Sequence, residues 1–452
     1  MLHKFYEVSD DSKIYGGLAK NLLLHARYAV TDGSGVLHDT LIRLPGYPLF
    51  LAACFRIFGM ENYFSATCVQ IAADLVACML VAWLAWRSSR RMAAFQATLW
   101  LACLCPFTAI YSAEPLTESL TILCIALTMW ALTRFQDWGT WLSALAFTFA
   151  VTFAALLRPD GALVGVAFVV PFVRALRARL PPREWHSFHG APLDYSIIRK
   201  AIVCLLLALA PFAAWTVRNG LNFHVFQPVA PRYATDPGEP TWPGFQSWMK
   251  TWCLDFTSTS QIYWNMPGSP LDINQMPGRA FDNPGQREET AQLFSDYAAN
   301  GDELSLALDA RFAQLAADRI DINPFRYYIW LPLSRVADML FRPRIENLPI
   351  DLDWWVYSHH WAETRFSWFY VVLNAFYFML AVVGLFYRPR LWRWMLLYFI
   401  LRCALLGTIE APEARYTIEF FPMIFVLAGV TICRIVPEKE TAADQFAAVT
   451  HH

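Results

Sequence analysis

Charge is scarce in this sequence. Asp, Glu, Lys and Arg make up 16% of its 452 residues, where a soluble domain carries nearer a quarter. The 36 basic and 37 acidic residues nearly cancel, so there is no basic footprint for nucleic acid. A Gly-rich phosphate loop, a Gly-x-Ser-x-Gly elbow and zinc-type spacing are all missing, which excludes the chemistries those motifs carry. No internal repeat or low-complexity tract is present. The ten cysteines form no framework: Cys68, Cys78, Cys124, Cys204 and Cys433 sit inside apolar runs, and Cys103 and Cys105 are wrongly spaced for a redox pair. They read as small buried hydrophobes.

Apolar runs dominate what is there. Hydrophobic residues make up 56% of the chain, and runs of about 20, enough to cross a bilayer core, recur. Nine spans are predicted: Phe64 to Trp86, Met92 to Tyr111, Leu116 to Leu132, Trp141 to Leu157, Gly161 to Val173, Ala201 to Val217, Phe366 to Phe386, Leu391 to Ile409 and Thr417 to Ile435. Alternate connections are rich in arginine: Arg87, Arg90 and Arg91; Arg174 through Lys200; Arg388, Arg390 and Arg393; Arg434 and Lys439. The positive-inside rule makes those ends cytoplasmic and the others exported. The expected division is therefore an exported segment 1–63, spans in 64–218, a long exported loop 219–365, further spans in 366–436 and a cytoplasmic tail 437–452.

Both exported segments carry helical periodicity. Tyr15 to Leu24 and Tyr47 to Phe58 suit helices lying in the membrane interface, with a Gly-rich turn at Asp32 to Gly35. In the long loop the first half, rich in Pro, Gly, Trp and Asn (Pro237 to Pro243, Asn265 to Pro284), is expected to be irregular, and Arg287 to Ala299, Glu303 to Ile320 and Phe325 to Phe341 helical. Leu304, Leu308, Phe312, Leu315 and Ala316 mark one face, expected to pack on the membrane domain rather than to build an independent one.

Ionisable groups gather at the exported ends of the spans, where their cost in lipid makes a cavity or a partner necessary. Asp10 and Asp11, with Tyr15 one turn on, offer a carboxylate to accept a proton, although Ser9, Asp10 and Asp11 also suit a helix N-cap. Arg43 in Arg-Leu-Pro-Gly-Tyr47-Pro suits a phosphate grip or a snorkelling anchor. Glu114 and Glu118 open a span, where acids also suit the helix dipole. Arg158-Pro-Asp160-Gly forms a tight turn, Arg218-Asn219 closes a span and Arg415-Tyr416 opens the last. His359 and His360 are a weak pointer to metal.

Taken in order, Asp11-x-x-x-Tyr15, Arg43-Leu-Pro-Gly-Tyr-Pro48, Thr117-Glu118, Arg158-Pro-Asp-Gly161, Trp215-Thr-Val-Arg-Asn219, Asn323-Pro-Phe-Arg-Tyr-Tyr328 and Arg415-Tyr416 resemble the polyprenyl- or dolichyl-phosphate-sugar dependent glycosyltransferases of the GT-C class. The protein mannosyltransferase and aminoarabinose transferase branches are nearest. The resemblance implies an all-α polytopic bundle in the bacterial inner membrane with its active site on the periplasmic face. It implies Asp11 as the general base of an inverting transfer, Arg43, Arg218 and Arg415 as phosphate ligands, and Glu118 in the sugar or acceptor pocket. Asp10, Tyr15, Tyr47, Glu114, Arg158, Asp160, Asn219 and Tyr416 complete the expected substrate-binding set. The partners implied are a polyprenyl-phosphate-linked sugar and an acceptor lipid, glycan or protein; some relatives use a divalent metal, which is left open. Relatives begin with a span before the aspartate, so a first membrane helix is expected to be missing here, unless Leu41 to Phe58 enters the membrane. The rival readings are a transporter or lipid flippase, against which stand the absence of a repeat and Arg402 as the main mid-span charge, and a non-catalytic envelope scaffold.

Overall fold

In the computed structural model, residues 8, 10–178, 195–352, 354–355 and 361–435 are described. His359, His360, the 437–452 tail and residues 179–194 of the basic stretch lie outside them. The fold is an all-helical bundle with one small hairpin, Ala29–Thr31 against Leu37–Asp39. The predicted Asp32 to Gly35 turn closes that hairpin, with Asp32 accepting from the amides of Ser34 and Val36, both at 2.9 Å.

Helix α1 (Asp10–His25) and α2 (Gly46–Phe58) flank the hairpin. Then follow α3 (Tyr63–Ser89), α4 (Met92–Cys103), α5 (Pro106–Ser112), α6 (Glu118–Trp138), α7 (Trp141–Leu157), α8 (Ala162–Arg177) and α9 (Tyr195–Phe223). A long segment carries α10 (Pro243–Lys250), α11 (Pro284–Ala299), α12 (Leu306–Ile322) and α13 (Leu331–Phe341). The chain closes with α14 (Trp361–Phe386), α15 (Trp392–Leu406) and α16 (Phe421–Ile435).

Among the described residues six helices are long and apolar enough to cross a membrane: Tyr63–Ser89, Glu118–Trp138, Pro159–Arg177, Ile197–Phe223, Trp361–Phe386 and Ala414–Ile435. The predicted span Met92 to Tyr111 is instead a helix pair bent by 55°. Pro106 lacks an amide donor and forces Cys105 into an extended conformation, so the helix breaks there. Predicted spans four and eight form helices of only 17 and 15 residues, short of a usual crossing. Helix α2 is likewise apolar but has 13 residues.

Ala414–Ile435 and Glu118–Trp138 are the central helices, with 83% and 78% of their apolar windows buried, whereas the window in α9 is 11% buried and sits at the edge. Helix α16 packs closely on α14 and α4, and α6 on α7 and α3. Glycines permit the closest approaches. A Cβ on Gly384 of α14 would lie 2.3 Å from the Leu427 carbonyl oxygen of α16, and one on Gly46 would lie 2.6 Å from the carbonyl of Leu156 at the end of α7. Such small-residue contacts are how helices pack tightly in lipid.

The long segment between α9 and α14 departs from expectation. Leu304, Leu308, Phe312, Leu315 and Ala316 do not pack on the membrane bundle; with Trp248, Trp252, Phe294 and Tyr297 they make a separate core. Two aromatic residues from α10 fill the space the membrane domain was expected to occupy: Phe245 and Trp248 meet Phe312 at 5.4 and 5.0 Å between ring centres. Buried Arg319 knits this core by donating to Thr251 Oγ1 at 2.9 Å, Ala280 O at 2.7 Å and Gln286 Oε1 at 3.0 Å.

Candidate active site

Five chain segments that are distant in sequence bring their ionisable ends together at one end of the bundle. The first is the start of α1. Ser12 donates to the Pro115 carbonyl at 3.0 Å, and a Cβ on Gly16 would overlap the Tyr63 hydroxyl at 1.7 Å, so α1 lies tightly across the starts of α6 and α3. The second is the Arg43 turn. Tyr28 donates to the Arg43 and Leu44 carbonyls at 3.1 and 3.2 Å, and the close approach of Gly46 to Leu156 seats the turn beside Arg158. The others are the start of α6, the Arg158–Gly161 turn and the 3₁₀ turn Ala414–Phe420 before α16.

The outer part of the site is a carboxylate held between two guanidiniums. Arg43 Nη2 donates to Asp11 Oδ1 at 2.8 Å, and Arg415 Nη1 and Nη2 donate to Asp11 Oδ2 at 3.3 and 3.4 Å. All three side chains are partly accessible, at 26%, 30% and 24% for Arg43, Asp11 and Arg415. Arg43 Nε is buried and has no hydrogen-bond partner among the described residues. Burial pushes the Asp11 carboxyl up, but the Arg415 and Arg43 charges and hydrogen bonds outweigh it and hold it below the ordinary aspartate range. Arg43 also lies 5.8 Å over the Tyr15 ring, which packs edge-on against buried Tyr47. Burial pushes the Tyr15 phenol up, and its neutral ring forms a wall beside Asp11. Tyr47 donates to Gln70 Oε1 and is a support beneath that wall.

Beneath lies a second, more buried layer of charge. Arg158 donates to Glu118 Oε1 at 3.0 Å and Asp160 Oδ1 at 3.1 Å. Arg402 contacts Asp160 Oδ2 at 3.0 Å and Glu419 Oε2 at 2.6 Å, and Tyr398 donates to the same Glu419 oxygen at 3.2 Å. Arg402 and Glu419 are fully buried. A charge at that depth persists only when paired, and here each guanidinium meets at least two carboxyls.

Tyr416 joins the layers. Its ring lies 5.1 Å from the Arg158 guanidinium and 5.5 Å from that of Arg415. Its hydroxyl donates to Glu413, which also meets Arg415 Nε at 2.6 Å, and its carbonyl accepts from Arg402 at 2.7 Å. Arg344 fixes this turn from outside, donating to Ala414 O and Thr417 Oγ1, both at 2.6 Å.

The structure thus brings together Asp11, Tyr15, Arg43, Tyr47, Glu118, Arg158, Asp160, Arg415 and Tyr416. Glu114 lies close by in the turn before α6, its carbonyl accepting from Gln70 at 2.7 Å. Asp10 opens α1, and its side chain lies outside the described residues.

Arg218 and Asn219 are elsewhere. Arg218 donates to the Thr40 and Tyr28 carbonyls, both at 2.7 Å, and stacks on Trp215 and Tyr28. Buried Asn219 donates to Gln227 O at 2.8 Å. Together they staple the end of α9 to the hairpin, and the Arg218 guanidinium caps carbonyls there instead of joining the clamp on Asp11.

Sequence reasoning left Glu413, Glu419 and Arg344 unassigned, and read Arg402 only as a mid-span charge. An acid three residues beyond Tyr416 in an apolar run was the available signal for Glu419. Among the described residues no three His, Cys, Asp or Glu side chains cluster as a metal site would require, so no step is assigned to a metal.

Residues 43–189 match the family described as dolichyl-phosphate-mannose-protein mannosyltransferase. That stretch holds Arg43, Tyr47, Glu118, Arg158 and Asp160, while Asp11 and Arg415 fall outside it. No curated protein matches the chain in sequence. Among solved structures, ArnT from Cupriavidus metallidurans in the apo state is similar at 13% identity and a TM-score of 0.32, over 92% of this chain and 71% of that one. The same protein bound to undecaprenyl phosphate is similar at 14% identity and a TM-score of 0.34, over 93% and 72%.

Proposed function

We propose that this chain is a membrane glycosyltransferase that moves a sugar from a polyprenyl-phosphate donor to an acceptor hydroxyl with inversion, using Asp11 as general base. The family match over residues 43–189 supports the transferase class and a sugar carried on a lipid phosphate. The observation that supports the reading is the clamp of Arg43 and Arg415 on Asp11, a carboxylate between two guanidiniums, all three partly accessible at one end of the bundle.

The chemistry follows from what those groups can hold. Arginine recognises phosphate through paired N–H donors, and Arg43 keeps Nε in reserve for one. A donor phosphate entering the cleft competes with Asp11 for both guanidiniums. As they turn to the phosphate, the carboxylate is released and becomes a stronger base. Asp11 then takes the proton of the acceptor hydroxyl while that oxygen bonds to the anomeric carbon. The bond from that carbon to the phosphate oxygen breaks, and the lipid phosphate leaves with the electron pair. Arg43 and Arg415 stabilise the charge that grows on it, so they act more on the transition state than on the bound donor. The more buried layer of Arg158, Glu118, Asp160, Arg402 and Glu419 keeps Arg415 and Tyr416 in place. The active site faces the exported side of the bacterial inner membrane in this reading, because the arginine-rich turns lie at the other end.

The test is transfer of label. Membranes holding the protein are incubated with radiolabelled polyprenyl-phosphate sugars and candidate acceptors. Transfer by wild type and its loss in Asp11→Asn support the proposal; unchanged turnover in Asp11→Asn removes Asp11 as the base. Movement of intact donor across the bilayer without transfer would make the protein a flippase.

A further inference from the structure

The end of the bundle remote from Asp11 holds a cavity of about 640 Å³, lined by Gln136, Pro171, Arg174, Ala175, Arg393 and Trp394 among others. It is remote by construction. Helix α6 starts at Glu118 in the candidate site and reaches Gln136 eighteen residues later, about 27 Å along its axis. The cavity forms where the ends of α6 and α8 meet the start of α15.

Its electrostatics are one-sided. Asp137, the carboxylate beside it, is already taken by Arg390 at 2.7 Å and Arg87 at 3.0 Å. Arg390 also occupies Gln136 Oε1, at 3.0 Å from Nη2. Arg174 and Arg393 are exposed and meet no carboxylate among the described residues; their guanidiniums lie over the rings of Trp394 and Trp392 at 5.3 and 5.5 Å. Two uncompensated cations therefore line one cavity, while Pro171 and Ala175 give it an apolar floor.

We propose that this cavity binds the phosphodiester headgroup of an anionic phospholipid. Arg174 and Arg393 take the phosphate oxygens, the floor takes the glycerol and upper acyl carbons, and Trp394 sits at the headgroup level. Basic pockets between helices at a membrane boundary have this chemistry, and tryptophan favours that depth. Inorganic phosphate would satisfy the arginines but leave the apolar floor uncovered.

The test uses the full chain in detergent, with retained lipid counted by native mass spectrometry after titration with phosphatidylglycerol or phosphatidylcholine. Wild type is expected to hold phosphatidylglycerol at least fivefold more tightly. Arg174→Gln with Arg393→Gln should abolish that preference, and because both side chains are exposed the melting temperature should not move. Arg134→Gln with Arg434→Gln removes the same charge from arginines that do not line the cavity and should leave the preference intact. Equal loss in both pairs would reduce the effect to surface charge and overturn the proposal. Inorganic phosphate binding as tightly as the lipid would overturn it too.

Discussion

Asp11 and Arg415 lie 404 residues apart in the chain and 3.3 Å apart in the fold. Their contact joins the first described helix to the turn before the last, so the candidate site exists only when the whole bundle is assembled. Arg43 holds the other oxygen of the same carboxylate. The geometry is that of a carboxylate held between two guanidiniums, which under the proposed function is a base held idle by the groups that bind its substrate.

That relationship predicts opposite effects of one substitution. Asp11→Asn should lower sugar transfer by about 100-fold or more, the scale expected for loss of a general base. The same change should tighten binding of polyprenyl phosphate by roughly threefold to tenfold, because the competing charge is gone. Binding of the labelled lipid phosphate, measured apart from turnover, checks it. Weaker binding in the variant would mean that Asp11 holds the donor instead of competing with it.

A pH profile gives an independent check. In the free protein the arginines hold the Asp11 carboxyl below its ordinary value. Its ion pairs therefore add stability that is complete above that ordinary value and is lost as pH falls through the lowered one. The acid limb of kcat/KM, which reports the free enzyme, should accordingly lie at low pH. In the donor complex the guanidiniums face phosphate and the carboxyl loses much of that support, so the acid limb of kcat should lie at higher pH. Coincident limbs would show that donor binding leaves the clamp closed.

Short motifs made much of this site readable in the sequence. Asp11, Arg43 and Arg415 each stand in a local pattern whose chemistry could be named, and Glu118, Arg158 and Asp160 open spans or turns at the same end. The sequence is silent where a partner lies far away. Arg218 looked like its neighbours, but the carbonyls it caps belong to Tyr28 and Thr40, 190 and 178 residues earlier. Arg402 reads as a lone mid-span charge because Glu419, its counter-ion, stands in no motif of its own. The apolar face of α12 pointed to burial and could not say against what; Trp248 of α10 supplies the answer.

Arg218 and Arg415 should therefore fail in different ways. Arg218→Gln strands the Thr40 carbonyl, while that of Tyr28 keeps the Thr40 amide as a donor; at about 1–3 kcal/mol for an unsatisfied group it should cost about 1–3 kcal/mol of stability. The folded fraction should keep the wild-type KM for donor. Arg415→Gln should raise that KM at least tenfold. Thermal unfolding in detergent beside steady-state transfer separates the two, and a raised KM in Arg218→Gln would return that residue to the phosphate site.

The last prediction concerns what holds the clamp in register. Arg415, Tyr416 and Glu419 ride on the turn that feeds α16, and α16 is kept close to α14 by Gly384. A methyl group there would sit 2.3 Å from the Leu427 carbonyl, and backbone cannot rotate aside as a side chain can. Gly384→Ala must push the helices apart, at about 1–3 kcal/mol, the usual cost of overpacking. Gly17→Ala in α1 is the matched control: its added Cβ meets nothing within 4 Å, and alanine favours a helix by about 1 kcal/mol. Thermal unfolding should fall for the first and hold or rise for the second. Transfer should fall with Gly384→Ala even at temperatures where the protein stays folded, because a displaced α16 draws Arg415 away from Asp11. Equal stability of the two variants would mean that the α14–α16 contact does not set the position of that turn.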